Sequence, residues 1–231
     1  MKKIALGFIL LLGTVSLYSQ NTDFKPEFAY GITGGVTLSG VRFVPYVAQE
    51  KILQNQAGVA LRYISEKNFG FQIELNYSNR GWRELTDEVR KNRYARSISY
   101  IELPFMTHIY FDMGKRVRGV FNLGPQIGYA VGEKLVERVL YAEPAGYSNA
   151  ESLYASGNVP DYYFRDIQRK FDYGIIGGGG IELKTGIGRF VLEGRYYFGL
   201  SDVFNNARTD YFQASANQVI SIKLTYLTSL F

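Results

Sequence analysis

The stretch Phe171–Leu200, FDYGIIGGGGIELKTGIGRFVLEGRYYFGL, constrains this chain more than any other. Read two residues at a time, it splits into two alternating runs. In the first, Ile175, Ile181 and Leu183 share one parity, and Asp172, Gly178, Gly180 and Glu182 the other. After Lys184–Gly188, Phe190, Leu192, Tyr196, Phe198 and Leu200 oppose Arg189, Glu193, Arg195 and Gly199. A period of two sends successive side chains to opposite faces of a strand, and the Gly-rich interruption is turn chemistry between two strands. In water the charged face would be solvated and the apolar face would cover a core. In lipid the two faces exchange roles.

The same alternation recurs along the chain. FAYGITGGVTLSG sets Phe28, Tyr30, Ile32, Val36 and Leu38 against Gly31, Thr33, Gly35, Thr37 and Ser39. AGVALRYIS, GFQIELNYSNRGW, SISYIELPFMTHIYF, VRGVFNLGPQIGYAV and NQVISIKLTYLTSLF repeat it, which predicts eight strands. Connections after strands one, three, five and seven (41–56, 83–96, 133–170, 201–214) are long, and the other three are short. The longest helix-period segment is Lys134–Tyr141. The pattern predicts an all-β fold: an eight-stranded antiparallel transmembrane β-barrel with short periplasmic turns and long extracellular loops. An even strand number leaves no open edge and puts both chain ends on the periplasmic side.

Composition is consistent with this. Nineteen Tyr, sixteen Phe and twenty-five Gly are high for a soluble domain, while one His and no Cys leave little for metal chemistry. Mean hydropathy of -0.11 does not argue against a membrane barrel, because only alternate residues of each strand face lipid. Residues 1–20 read as a signal peptide, with Lys2 and Lys3 before an apolar run from Ile4 to Leu12 that is too short to span a membrane. Residues 21–231 form the barrel domain. The net charge of +5 includes Lys2 and Lys3, which leaves +3 without them and gives no reason to expect nucleic acid as a partner.

The inward parity collects four acids (Glu74, Glu102, Glu182, Glu193) and four bases (Arg62, Arg118, Arg195, Lys223). Equal numbers predict a paired interior network, since isolated charges there would be costly. Eight strands enclose a space that side chains can fill, so a wide diffusion pore is not expected.

YIELPF (Tyr100–Phe105), FNLGPQIGY (Phe121–Tyr129), FDYGIIGGGGIEL and GRFVLEGRYYFGLSDV together resemble the PorT-like outer-membrane β-barrel proteins of Bacteroidota. The resemblance implies an outer-membrane barrel. It also implies an association with type IX protein secretion through the founding member, although no motif here singles out that component.

Candidate chemistry is sparse. His108 is the sole histidine and lies four residues before the periplasmic turn at Asp112, the wrong end for a lipid hydrolase working at the outer leaflet. Gly177–Gly180 lacks the Lys-Ser/Thr and the helix of a phosphate loop, and reads as close backbone approach in a curved strand. Glu182 and Glu193 share a face with Arg118 and Arg195, which favours a salt-bridged plug over a glycosidase pair. No catalytic, cofactor-binding or metal site is assigned.

The second loop gathers Arg80, Arg83, Arg90, Lys91, Arg93 and Arg96 against Glu84, Asp87 and Glu88, a basic surface suited to lipopolysaccharide phosphates. The third loop holds Tyr162 and Tyr163 among further aromatics, suited to partner contact. Phe231 at the C-terminus is an address for barrel assembly machinery, although Leu230 keeps the outward parity. The expected function is that of a non-enzymatic surface-binding or accessory envelope protein, with outer-membrane lipids, lipopolysaccharide and secretion-system proteins as candidate partners. A component related to type IX secretion and a lipid-modifying enzyme are the alternatives. A soluble lipocalin-like barrel would need its apolar face inward.

Overall fold

The computed structural model describes residues 24–85, 93–139, 166–207 and 210–229, with the side chains of 93 and 137–139 excepted. Residues 1–20, read above as a signal peptide, lie outside the described residues, as do Leu230 and Phe231. Eight strands follow in order: β1 (Glu27–Val44), β2 (Gln49–Glu66), β3 (Phe69–Glu84), β4 (Arg93–Asp112), β5 (Val117–Val139), β6 (Phe171–Thr185), β7 (Gly188–Asp202) and β8 (Ala214–Ser229). Each pairs antiparallel with its chain neighbour. β1 also pairs with β8, from Ala29↔Ser229 to Val44↔Ala214, so the sheet closes as a barrel.

Outward positions of the central strand segments are apolar or neutral throughout. They include Ile32 and Val36 on β1, Leu61 and Tyr63 on β2, Ile73 and Leu75 on β3, and Leu103 and Phe105 on β4, each at least 37% exposed. β5 to β8 continue the belt with Phe121, Leu123, Ile181, Leu192, Tyr196, Ile222 and Leu224. An exposed apolar belt of this extent around a closed sheet is a lipid-facing surface, not a solvated one. The charged parity is buried inside, which excludes the lipocalin-like arrangement.

The strands run from 15 to 23 residues, more than the roughly 9–11 that cross a bilayer, so their upper ends project beyond it. This changes the upper connections, the first three most. The first shrinks to 45–48, because Val41–Val44 continues β1 and Gln49–Gln56 belongs to β2. The second shrinks to 85–92. The third begins after Val139, so Lys134–Val139 is strand and not helix, held by pairs such as Arg96↔Leu135 and Ser97↔Lys134. Ladder pairing with β4 overrides the local helical period there.

The three periplasmic turns are 67–68, 113–116 and 186–187. In the last, Thr185 pairs with Gly188, whose φ of 144° and closeness to the Tyr226 ring admit no side chain.

Candidate functional site

The interior is organised in tiers. Glu74 on β3 is the centre of the middle tier. Its Oε1 accepts hydrogen bonds from Arg195 Nη2 (2.8 Å) and Gln72 Nε2 (2.5 Å). Its Oε2 accepts from Arg195 Nη1 (3.0 Å), Lys223 Nζ (2.6 Å) and Asn76 Nδ2 (3.0 Å). Arg195 also donates to Glu193 (2.7 Å), and Glu193 accepts a hydrogen bond from Asn122. Alternation explains the assembly: Glu193 and Arg195 are two apart on β7, so both point inward, and Glu193 faces Lys223 across the β7–β8 register.

Toward the periplasm, Arg62 pairs with Glu182 at 2.5 Å and donates through Nε to Gln72 at 2.7 Å. Arg118 lies 3.5 Å from the other Glu182 oxygen, donates to Asp112 at 2.7 Å, and sits over the Tyr110 ring. Toward the outside, Arg80 bridges Glu102 and Asp172 at 2.8 Å each, with its guanidinium over the Tyr197 and Tyr100 rings. Tyr197 and Ser201 complete the Asp172 shell by donating to its carboxylate.

Above this upper tier sits an apolar lid of Val41, Phe43, Trp82, Tyr94, Ile98, Ile167, Phe204 and Phe212. At the periplasmic end Ala29, Ala60, Ile64, Val120, Val191 and Leu227 pack around the lowest ion pairs. Arg62, Glu74, Lys223, Arg195 and Glu193 are each 2% exposed or less, and Trp82 is wholly buried. The lumen is therefore filled with paired charge and capped at both ends.

All eight predicted interior charges are buried, and the structure joins them into connected sets. Two further members, Arg80 and Asp172, join the eight, and their parity also places them inward. The sequence pattern groups Arg80, Arg96 and Glu84 with the second loop. In the structure they belong to β3 and β4 and are buried, at 2%, 5% and 8% exposure. Arg83 is on the exposed face of β3. The backbone of Arg93 opens β4. Arg90, Lys91, Tyr162 and Tyr163 lie outside the described residues.

His108 is buried on β4, with Nδ1 2.8 Å from Asn122 Oδ1 and Nε2 without a hydrogen-bond partner. Gly178 and Gly180 lie within β6. A Cβ on either would come within 2.2 Å of a β7 carbonyl oxygen, which is close strand approach and not a phosphate cradle. Among the described residues, no group of three or more His, Asp or Glu side chains is placed to hold a metal ion.

A family model described as the outer membrane protein beta-barrel domain matches residues 18–205. No curated protein sequence matches the chain. Similar solved structures include OprG from Pseudomonas aeruginosa (12% identity, TM-score 0.47, 88% of this chain and 95% of that one). They also include Ail of Yersinia pestis in complex with the heparin analogue sucrose octasulfate (13%, 0.42, 87% and 99%). The outer membrane enzyme PagL is a third (10%, 0.41, 88% and 98%).

Proposed function

The chain belongs to the outer membrane protein β-barrel domain family, and on that premise we propose that it is a sealed, non-enzymatic barrel of the outer membrane that works through its extracellular end. The observation that carries this reading is the filled lumen. Five buried acids (Glu74, Glu102, Asp172, Glu182, Glu193) meet five buried bases (Arg62, Arg80, Arg118, Arg195, Lys223) beneath an aromatic lid. Conduction would need this network to break, and breaking a buried pair costs about 3–5 kcal/mol. The absence of an enzymatic role is supported by His108, which faces Asn122 deep in the periplasmic half and cannot reach the outer leaflet. What remains to act is the projecting upper barrel and its connections.

The test is electrical. Protein reconstituted in planar bilayers is expected to give no unitary current steps, and reproducible ohmic steps would refute the sealed lumen.

The finer placement among PorT-like barrels rests on YIELPF, FNLGPQIGY and the β6–β7 hairpin. The same runs support a second reading, an accessory of type IX secretion. Deletion would then block surface delivery of secreted cargo, and normal delivery would remove this reading.

A further inference from the structure

The outward faces of the strands change character abruptly on one side of the barrel. From Phe28 to Leu38 on β1, Leu53 to Tyr63 on β2 and Phe69 to Asn79 on β3, no outward residue is charged. Above these segments, the first charged outward residues are Arg42 on β1, Lys51 on β2 and Arg83 on β3, all three exposed.

The register places them together. Lys51 and Arg83 lie on adjacent strands at neighbouring rungs, within the pairs Lys51↔Trp82 and Glu50↔Arg83. The Lys51 stem runs over Gly40, where a Cβ would stand 3.6 Å from its Cγ, and Gly40 is two residues from Arg42 on the same face. Arg42 reaches across β8 so that its guanidinium lies 5.3 Å from the centroid of the Phe198 ring. Among the described residues, neither Arg42 nor Lys51 has a carboxylate partner. Asp202, the outward acid at the top of β7, is already engaged: its carboxylate accepts hydrogen bonds from Asn206 and from the Ser215 amide.

Three cations at one height, above an uncharged and largely apolar belt, sit where the headgroups of the outer leaflet begin. An aromatic ring beneath a guanidinium suits the same boundary. We propose that Arg42, Lys51 and Arg83 form a binding surface for the phosphate groups of lipopolysaccharide, with its acyl chains against the belt below. The chemistry is charge-assisted hydrogen bonding from two guanidinium groups and one ammonium to phosphate oxygens. The assignment rests on the outer-membrane reading, because it requires the upper strand ends to meet the outer leaflet.

The test uses the full folded chain in detergent, titrated with bisphosphorylated lipid A and followed by native mass spectrometry. Three measurements accompany it: dephosphorylated lipid A, phosphatidylglycerol, and the triple variant Arg42→Gln/Lys51→Gln/Arg83→Gln. A periplasmic triple, Lys67→Gln/Lys115→Gln/Arg116→Gln, controls for net charge. Removing the outer cations is expected to weaken lipid A retention by at least about tenfold, while the periplasmic triple retains it as the native protein does. Dephosphorylated lipid A should bind the native protein as weakly as lipid A binds the outer triple; this arm needs no variant to fold. Unchanged retention by the outer triple would overturn the proposal. So would an equal loss in the periplasmic triple, or phosphatidylglycerol retained as well as lipid A. Any of these failures leaves the sealed lumen standing, since conductance tests that separately.

Discussion

Glu74→Gln is the most informative perturbation of the interior. Glu74 and Glu193 carry two negative charges against the two positive charges of Arg195 and Lys223, so the middle tier is neutral. The substitution keeps the side-chain size but leaves one buried positive charge in excess. It also replaces an acceptor of five hydrogen bonds with an amide, whose NH₂ end would point donor against donor. Losing one partner of a buried pair costs about 3–5 kcal/mol, a shift of roughly a hundred- to a thousandfold or more in the folding equilibrium.

The assay is urea unfolding of the barrel in phospholipid vesicles. It can be followed by heat-modifiable gel migration and by fluorescence of Trp82, the single tryptophan, which is buried within the lid. A companion variant, Glu74→Gln/Lys223→Met, restores neutrality. It is expected to be more stable than the single variant, with a coupling of about 1–3 kcal/mol between the two positions. If Glu74→Gln unfolds within about 0.5 kcal/mol of the native protein and the double variant is additive, the network is not energetically coupled. The account of the lumen would then fail.

Other consequences follow from the same geometry. Gly180→Ala drives a Cβ to 1.9 Å from the Leu192 carbonyl oxygen and is expected to lower the yield of folded barrel sharply on gels. Gly194→Ala on the lipid face meets nothing within 4 Å and should fold like the native protein. Trp82→Ala should cost about 3–5 kcal/mol in urea titrations by hollowing the lid, yet leave bilayer current silent because the ion-pair tiers below remain. His108→Ala should cost about 1–3 kcal/mol through the stranded Asn122 and leave the lipid A acylation pattern of the host membrane unchanged. An altered acylation pattern would mean that His108 takes part in lipid chemistry.

Much of this fold is legible in the sequence because a membrane barrel writes its period twice, as an apolar face and as a charged one. Ile181 against Glu182, and Leu192 against Glu193, suffice to assign both faces of the β6–β7 hairpin. The upper strand ends are less legible for a physical reason. Above the bilayer the outward residue is polar and the inward residue is aromatic, as Arg42 and Phe43, or Arg83 and Trp82, show. The period persists while its sign inverts, so a reader who expects apolar side chains outside sees a mixed loop. Arg96 reads as loop for this reason, whereas Arg80 is inward on the third predicted strand and only borders the basic run that follows it. The pairing partners themselves, such as Arg62 with Glu182, 120 residues apart, follow from closure and shear and are invisible to local pattern.

The central claim is that the aromatic parity faces lipid and the charged parity faces a closed interior. Because the chain has no cysteine, single cysteines can be introduced without background and spin-labelled. Labels at Leu192, Gly194, Tyr196 and Ile222, in protein reconstituted in vesicles, should be readily relaxed by oxygen dissolved in the membrane. Labels at Val191, Ser221 and Thr225 should resist both oxygen and a water-soluble nickel chelate. Reversed parity would contradict the account, as would nickel access to the inward set.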